Sequence, residues 1–135
     1  MSDFNKQVIE EFRANAGQVG GFFTGKQLLL LHTTGAKSGL PRLNPLVTFA
    51  DGDRYIIVAS KGGAPTHPDW YYNLVAYPDV TVEVGAETFA AQATITSEPE
   101  RSELYAKAAE RYEFFIEYEK KAGRIIPVII LARQS

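Results

Sequence analysis

Leu43-Asn44-Pro45-Leu46-Val47-Thr48-Phe49-Ala50-Asp51-Gly52-Asp53-Arg54-Tyr55-Ile56-Ile57-Val58-Ala59-Ser60 reads as two β-rich runs, 43–50 and 54–60, around one tight turn. The Asp51-Gly52-Asp53 link is a strong hairpin signal, because its glycine takes the backbone angles that a short reversal needs. Working outward, 80–84 and 88–96 are again β-rich and are separated by Gly85-Ala86-Glu87, a further hairpin. Upstream, the leucine-rich run in 27–34 reads as a buried strand; downstream, 125–133 is apolar and β-branched, with Pro127 demanding an end, edge or bulge position. The count is about six strands linked mainly by hairpins. Strands do not alternate regularly with helices, so a small antiparallel barrel with flanking helices (α+β) is favoured over a doubly wound parallel sheet.

Three helical segments accompany the strands. Residues 3–15 carry Phe4, Val8 and Phe12 at i, i+4 and i+8, which predicts a short amphipathic helix ending near Gly17 that covers a core or lies against a membrane surface. Gly20, Gly21 and Gly25 then make a flexible link. In 66–73, Thr66 and Asp69 have capping-box spacing and Pro68 suits a first helical turn, predicting a helix over about 68–76 that Pro78 stops and that holds Trp70, the chain's single tryptophan. Ser97 and Glu100 repeat that spacing around Pro99, before a helix that runs to about 121 and ends at Gly123, with Leu104, Ala108 and Tyr112 on one face.

A chain of 135 residues fits one domain, 1–135, with 1–20 as an N-terminal amphipathic helix and linker. The absence of cysteine excludes disulfides, thiolate catalysis and Cys-ligated metals. Only His32 and His67 remain as imidazole ligands, on different segments without a matching carboxylate pattern, so no metal site is expected. His32 reads as an ordinary partly buried residue and His67 as a turn-fixing one. Ser60, His67 and Asp69 lie too close in sequence for a hydrolase triad and lack a G-x-S-x-G elbow. Apolar runs are too short to span a bilayer and the N-terminus lacks a signal-peptide pattern, so the expectation is a soluble cytoplasmic protein. A net charge of −2 without a long run of like charge gives no footprint for nucleic acid.

Local chemistry points to an anion. Gly35-Ala36-Lys37-Ser38-Gly39 lacks the upstream glycine of a P-loop, yet its glycines let amides point into one concavity, with Lys37 and Arg42 adding charge. A second glycine loop, Ser60-Lys61-Gly62-Gly63, adds Lys61. Together with the free amides at the start of the Trp70 helix, these loops suit an elongated anionic ligand. Aromatic residues cluster as Trp70, Tyr71 and Tyr72, and as Tyr112, Phe114, Phe115 and Tyr118. Tyr112, Phe115 and Tyr118 recur every three residues, as along one helical face, and the two hydroxyls are expected to face a pocket or solvent.

The joint pattern of residues 33–42 (Thr-Thr-Gly-Ala-Lys-Ser-Gly-Leu-Pro-Arg), Pro45-Leu46, Val58-Ala59-Ser60-Lys61-Gly62-Gly63 and His67-Pro68-Asp69-Trp70-Tyr71-Tyr72-Asn73-Leu74 resembles the deazaflavin-dependent nitroreductase family, quinone and nitro reductases that use coenzyme F420. The resemblance covers about residue 27 to the last strand and implies a split β-barrel that takes a hydride from reduced deazaflavin. It implies that Lys37, Ser38, Gly39 and Arg42 hold the phosphate and acidic tail, and that Asn44, Pro45, Leu46 and Val47 flank the ring. Val58, Ala59, Ser60 and Lys61 would contact ring and phosphate, and Asp69, Trp70, Tyr71, Tyr72 and Asn73 would close the site. Tyr112, Phe115 and Tyr118 match a stripe that faces a quinone or nitro substrate, with Ser60, Tyr112 and Tyr118 as candidate catalytic hydroxyls. Phe115 lacks a hydroxyl and Val47 replaces a bulkier aromatic, which bears on acceptor preference. Alternatives are the same barrel with FMN, as in the pyridoxamine oxidase group, and a non-catalytic deazaflavin carrier. An apolar acceptor such as menaquinone would give the N-terminal helix a peripheral role at the inner face of the membrane, against packing on the barrel. The oligomeric state is left open.

Overall fold

The computed structural model describes residues 3–134; Met1, Ser2 and Ser135, the ends of the expected 1–135 unit, lie outside the described residues. In chain order the elements are α1 (Asp3–Ala14), β1 (Leu28–Thr34), β2 (Pro41–Val47), β3 (Phe49–Asp51), β4 (Arg54–Val58), α2 (Asp69–Ala76), β5 (Asp79–Val84), β6 (Glu87–Ile95), α3 (Glu100–Arg111), α4 (Phe114–Ala122) and β7 (Val128–Arg133), with short 3-10 turns at Gly21–Phe23 and Lys61–Gly63. The described strands form one seven-stranded sheet in the order β2-β1-β5-β6-β7-β4-β3, every pairing antiparallel.

That order carries a geometric consequence. β2 and β3 are the two edges of the sheet, yet a single residue, Thr48, separates them in the chain. Two Cα–Cα steps reach at most about 7 Å, so the sheet must curl until its edges meet at that corner. The run 43–50, expected as one strand, bends at Thr48 and pairs with β1 before the bend and with β4 after it. Seven strands therefore replace the expected six. Thr48 is only 1% exposed. Its N–H donates to the Gln27 carbonyl (2.9 Å), its hydroxyl donates to the Ile56 carbonyl (2.7 Å), and its own carbonyl accepts the Tyr112 hydroxyl (2.8 Å).

Side chains then sort by the two-residue period of each strand. Leu29 and Leu31 of β1 share one cluster with Ile57 of β4, although three strands lie between them in the sheet, so this is the concave face. Trp70 and Leu74 of α2 complete that cluster. The opposite face is covered in two places. Leu28 and Leu30, with Leu43 and Val47 packed alongside, lie under Val8, Ile9 and Phe12 of α1. Ile56, Val128 and Ile130 lie under Leu104, Tyr105, Ala108 and Phe115 from α3 and α4. Burial on both faces explains why 28–31 and 128–131 read as unbroken apolar runs.

The apolar face of α1 thus covers core, and Arg13 fixes the helix to the barrel through Glu83 (3.1 and 2.8 Å), which also meets His32 at 2.6 Å. The helix expected over 97–121 is divided: Tyr112 leaves helical geometry (φ −134°) and α4 restarts at Phe114, ending at Gly123 with φ 65°. The division follows from tethering, because the Tyr112 hydroxyl is held at the Thr48 seam while Tyr105 donates to the Phe115 carbonyl (2.6 Å) across the break. Neither expected capping box forms. Pro68 and Pro99 occupy the cap positions without side-chain cap bonds, the Thr66 hydroxyl meets the Lys61 ammonium (3.4 Å), and Glu98 takes the Ser102 N–H (2.9 Å).

Replacing Thr48 by valine keeps the shape and removes the bond to Ile56, and should cost about 1–2 kcal/mol in urea unfolding. Glu83 is held below the usual glutamate range, chiefly by its hydrogen bond from Arg13. A lowered carboxylate gives stability that is complete above its unfolded pKa and is lost as pH falls through the folded value. Glu83→Gln should therefore lower Tm at neutral pH, and its gap from wild type should close as pH falls below the unfolded glutamate pKa of about 4.3 and through the lower folded value. A gap independent of pH would assign Glu83 a purely packing role.

Candidate functional site

The second glycine loop is built from backbone. Ser60 is right-handed (φ −79°, ψ −32°), and Lys61, Gly62 and Gly63 follow with φ of 49°, 65° and 84°. Such a right-to-left succession turns consecutive N–H groups toward one concavity, a shape that accepts anions. The N–H groups of Ser60, Lys61 and Gly62 donate to no other described residue, whereas Gly63 and Ala64 bond back to the Ser60 and Lys61 carbonyls. Ser60 is 7% exposed and its hydroxyl has no partner among the described residues. Gly63 is required for packing as well as for its φ: a Cβ there would stand 3.2 Å from the Tyr118 Cα, where α4 crosses the loop.

Beneath this loop lies Arg124, which the sequence reading did not single out. It donates to the carbonyls of Ala64 (3.1 Å), Ala59 (3.1 Å), Ser60 (3.2 Å) and Thr66 (2.9 Å), and to Nδ1 of His67 (2.9 Å). Its only sequence signal is a cation directly after the glycine that ends α4. An arginine donates only, so His67 must accept at Nδ1 and is neutral in this arrangement. Burial, and then the Arg124 charge, pull the His67 pKa below the usual imidazole value. His67 also lies against Tyr71, ring centroids 4.5 Å apart, and fixes the turn into α2 as expected.

The first glycine loop is closed on itself and tied to α2. Gly35 donates to the Leu40 carbonyl (2.8 Å) and Gly39 to the Gly35 carbonyl (2.9 Å). Buried Asn73 accepts the Ala36 N–H (2.8 Å) and donates to the Thr33 hydroxyl (3.1 Å). Lys37, Ser38, Gly39 and Arg42 are all exposed, with Arg42 3.5 Å from the Ser38 hydroxyl. Both loops therefore end on one short helix, the first through Asn73 and the second by running directly into Asp69.

Strand alternation divides two of the expected walls. Along β2, Leu46 packs on the concave cluster while Leu43 and Val47 pack under α1, so Asn44 and Leu46 face one way and Pro45 and Val47 the other. A cavity of about 520 Å³ beside β2 gathers Asn5, His32, Pro41, Arg42, Leu43 and Asn44. Ala59 belongs to the concave cluster and Val58 packs on the outer one. In α2, Trp70 (7% exposed) and Asn73 point into the protein, Tyr71 is half-buried, and Asp69 and Tyr72 are exposed. Trp70 is a core residue here, with no open ring face.

The aromatic stripe is also rearranged. Phe115, 4% exposed, is part of the core under α3 and α4. Phe114 takes the linking place, stacked on Tyr112 (5.7 Å, 15°) and reaching Tyr118 (5.2 Å) and Phe22 of the N-terminal link (5.8 Å). The Tyr112 hydroxyl is engaged, donating to Thr48 and accepting the Gln27 N–H (3.3 Å). The Tyr118 hydroxyl has no partner among the described residues, and these residues bring together no group of three or more His, Cys, Asp or Glu side chains that could hold a metal ion.

A curled antiparallel half-barrel, with a basic loop tied to α2, an amide-rich loop preceding it and α4 with its aromatic residues crossing the second loop, defines a split-barrel protein. The model of the F420H(2)-dependent quinone reductase family matches residues 4–133. The chain belongs to that family, a family of oxidoreductases that work with coenzyme F420, and neither FMN nor a carrier role is favoured. An F420H(2)-dependent quinone reductase of Mycobacterium tuberculosis (strain ATCC 25618 / H37Rv) is 40% identical over 127 residues, 91% of this chain and 85% of the relative. The solved F420-H2 dependent reductase FDR-A superposes with a TM-score of 0.71 at 41% identity, over 77% of this chain and 92% of that one. A solved domain-swapped dimer gives 0.73 at 35% identity, over 93% and 94%.

The His67 ring offers a direct check on the loop. Because its folded pKa is lowered, the stability it confers is complete above the usual imidazole pKa of about 6.5 and is lost as pH falls through the folded value. Titration of the ring by NMR should give a value below that of an unfolded-chain histidine. A value at or above it would mean that Nδ1 does not accept from Arg124.

Proposed function

We propose that the protein reduces quinones, and incidentally nitroaromatics, with a hydride from reduced coenzyme F420, at a site between its two glycine loops and the Tyr112-Phe114-Tyr118 surface. The observation that carries this reading is the run of unpaired donors at Ser60, Lys61 and Gly62, joined through α2 to a loop carrying exposed Lys37, with exposed Arg42 next to it at the start of β2. These groups fit the anionic half of the cofactor. Lys37, Ser38, Gly39 and Arg42 would hold phosphate and acidic tail, with Lys61 and the 60–62 amides completing the anion site. Asn44 and Leu46 would take the ring side, Ala59 and Trp70 would support it from the packed core, and Asp69, Tyr71 and Tyr72 would border it.

Reduced F420, when bound, supplies the hydride; the protein supplies orientation, exclusion of water and a proton. Ser60 and Tyr118 carry hydroxyls without partners among the described residues, so they are the groups able to deliver a proton to the acceptor oxygen. The Tyr112 proton is already donated to the Thr48 carbonyl, which makes Tyr112 part of the seam and leaves its ring to the aromatic surface. Phe114 and exposed Phe22 offer apolar area to an acceptor. No described helix is long and apolar enough to cross a membrane. Because α1 buries its apolar face on the sheet, contact with the cytoplasmic face of a bilayer would fall to Phe4 and Phe22, 60% and 58% exposed.

Equilibrium binding of F420 beside FMN, followed by oxidation of the reduced deazaflavin with and without menadione, tests the reading. Selective F420 binding with menadione-dependent oxidation is expected; binding without turnover would remove the reductase assignment. Lys37→Ala and Arg42→Ala should each weaken F420 about tenfold at low salt and less at high salt, since screening removes the same interaction. Tyr118→Phe should slow turnover at unchanged Tm, whereas Tyr112→Phe should cost about 1 kcal/mol of stability.

A further inference from the structure

Arg124 lies outside every site position considered above, yet it fixes the backbone on which the anion site is built. We propose that Arg124 is a positioning residue that holds the Ser60 and Lys61 amides toward the cofactor phosphate; this rests on the reading of the second glycine loop as a cofactor contact. The argument is planar geometry. In a trans peptide the C=O of one residue and the N–H of the next point in opposite directions. Arg124 grips the Ala59 carbonyl (3.1 Å) and the Ser60 carbonyl (3.2 Å), so the Ser60 and Lys61 N–H groups are directed away from the guanidinium. The Lys61 carbonyl is held in turn by the Ala64 N–H (3.2 Å), which orients the Gly62 N–H.

Arg124 adds to the loop's own Gly63 and Ala64 bonds in holding this geometry. Lys61 has a positive φ of 49°, a conformation that a side chain disfavours. Rotation of the Ser60-Lys61 peptide would relieve that angle, but it would break both bonds to the Ser60 carbonyl, from Arg124 (3.2 Å) and from the Gly63 N–H (2.9 Å), and turn the Lys61 N–H out of the concavity. The planar fork works on three fronts at once: Nε donates to Ala64, Nη1 to His67 Nδ1, and the two hydrogens of Nη2 are shared among the Ala59, Ser60 and Thr66 carbonyls. A lysine ammonium reaches only part of that set.

The test compares wild type, Arg124→Met and Arg124→Lys in equilibrium binding of F420 and of a deazaflavin ring analogue that lacks the phosphate and tail, alongside Tm and amide exchange at Gly63 and Ala64. Arg124→Met should lose about 10- to 100-fold in F420 affinity, keep the ring analogue within about twofold, and exchange Gly63 and Ala64 faster. Arg124→Lys should show the same selective loss at smaller size, and it decides the matter if the methionine variant does not fold. Equal losses for both ligands would make Arg124 a general structural residue, and faster exchange with unchanged F420 affinity would likewise overturn its positioning role. Separately, if the Ser60, Lys61 and Gly62 amide protons neither shift nor gain protection from exchange when F420 is added to the wild-type protein, the loop is not a cofactor contact, and the functional reading of it fails whatever Arg124 does.

Discussion

Everything in this fold is subordinate to the one-residue step at Thr48. A seven-stranded sheet with free edges has no reason to curl tightly, but when its two edge strands are consecutive in the chain, closure at one corner is compulsory. Three hydrogen bonds make that corner cohesive: to the entry of β1, to β4 and from Tyr112. The same step removes the aggregation hazard of open edges at that end of the sheet. It also creates a concave face narrow enough for Trp70 and Leu74 to fill, so α2 is seated by the curl, and with it the two loops that end on α2.

The closure reaches the aromatic surface through a single phenol. Because the Tyr112 hydroxyl serves the seam, its backbone is drawn out of helical geometry and the chain resumes as α4 in a new direction. That turn moves Phe115 into the core and brings Phe114 between Tyr112 and Tyr118. It also lays α4 across Gly63, so the second glycine loop, the seam and the aromatic surface form one mechanical unit.

Much of this was legible in the residues. Hairpins at Gly52 and Gly85 specified neighbouring strands because short glycine turns permit little else, and the glycine loops with His67 to Leu74 pointed to the family. What stayed hidden was long-range. Nothing in 43–50 distinguishes a straight strand from one bent at Thr48, because the bend is imposed by where β1 and β4 lie. The spacing of Tyr112, Phe115 and Tyr118 is helical, and only the tether at Thr48 breaks it. Four consecutive residues, 44–47, were assigned to one wall, although a strand must divide them between two faces. The capping boxes failed because prolines took the cap positions. Arg124 gave almost no signal, since its value comes from carbonyls some sixty residues away.

The two glycine loops, similar on paper, do different physical jobs. The first closes its own backbone through Gly35, Gly39 and Asn73, so what it and the start of β2 offer outward is side-chain charge on Lys37 and Arg42, long, exposed and screened by salt. The second leaves N–H groups open and has its carbonyls held from below, so it offers fixed dipoles on a backbone that packing with α4 keeps in place. On the proposed reading both loops would meet the phosphate of the cofactor, the second through fixed amides and the first through cations that also follow its flexible string of carboxylates. Fixed amides suit an anion whose position must be exact for the ring to be aligned, and mobile cations suit a tail whose position need not be. On the proposed reading, alignment of the reacting ring would depend on the rigid loop, and through Arg124 and α4 on the core of the barrel.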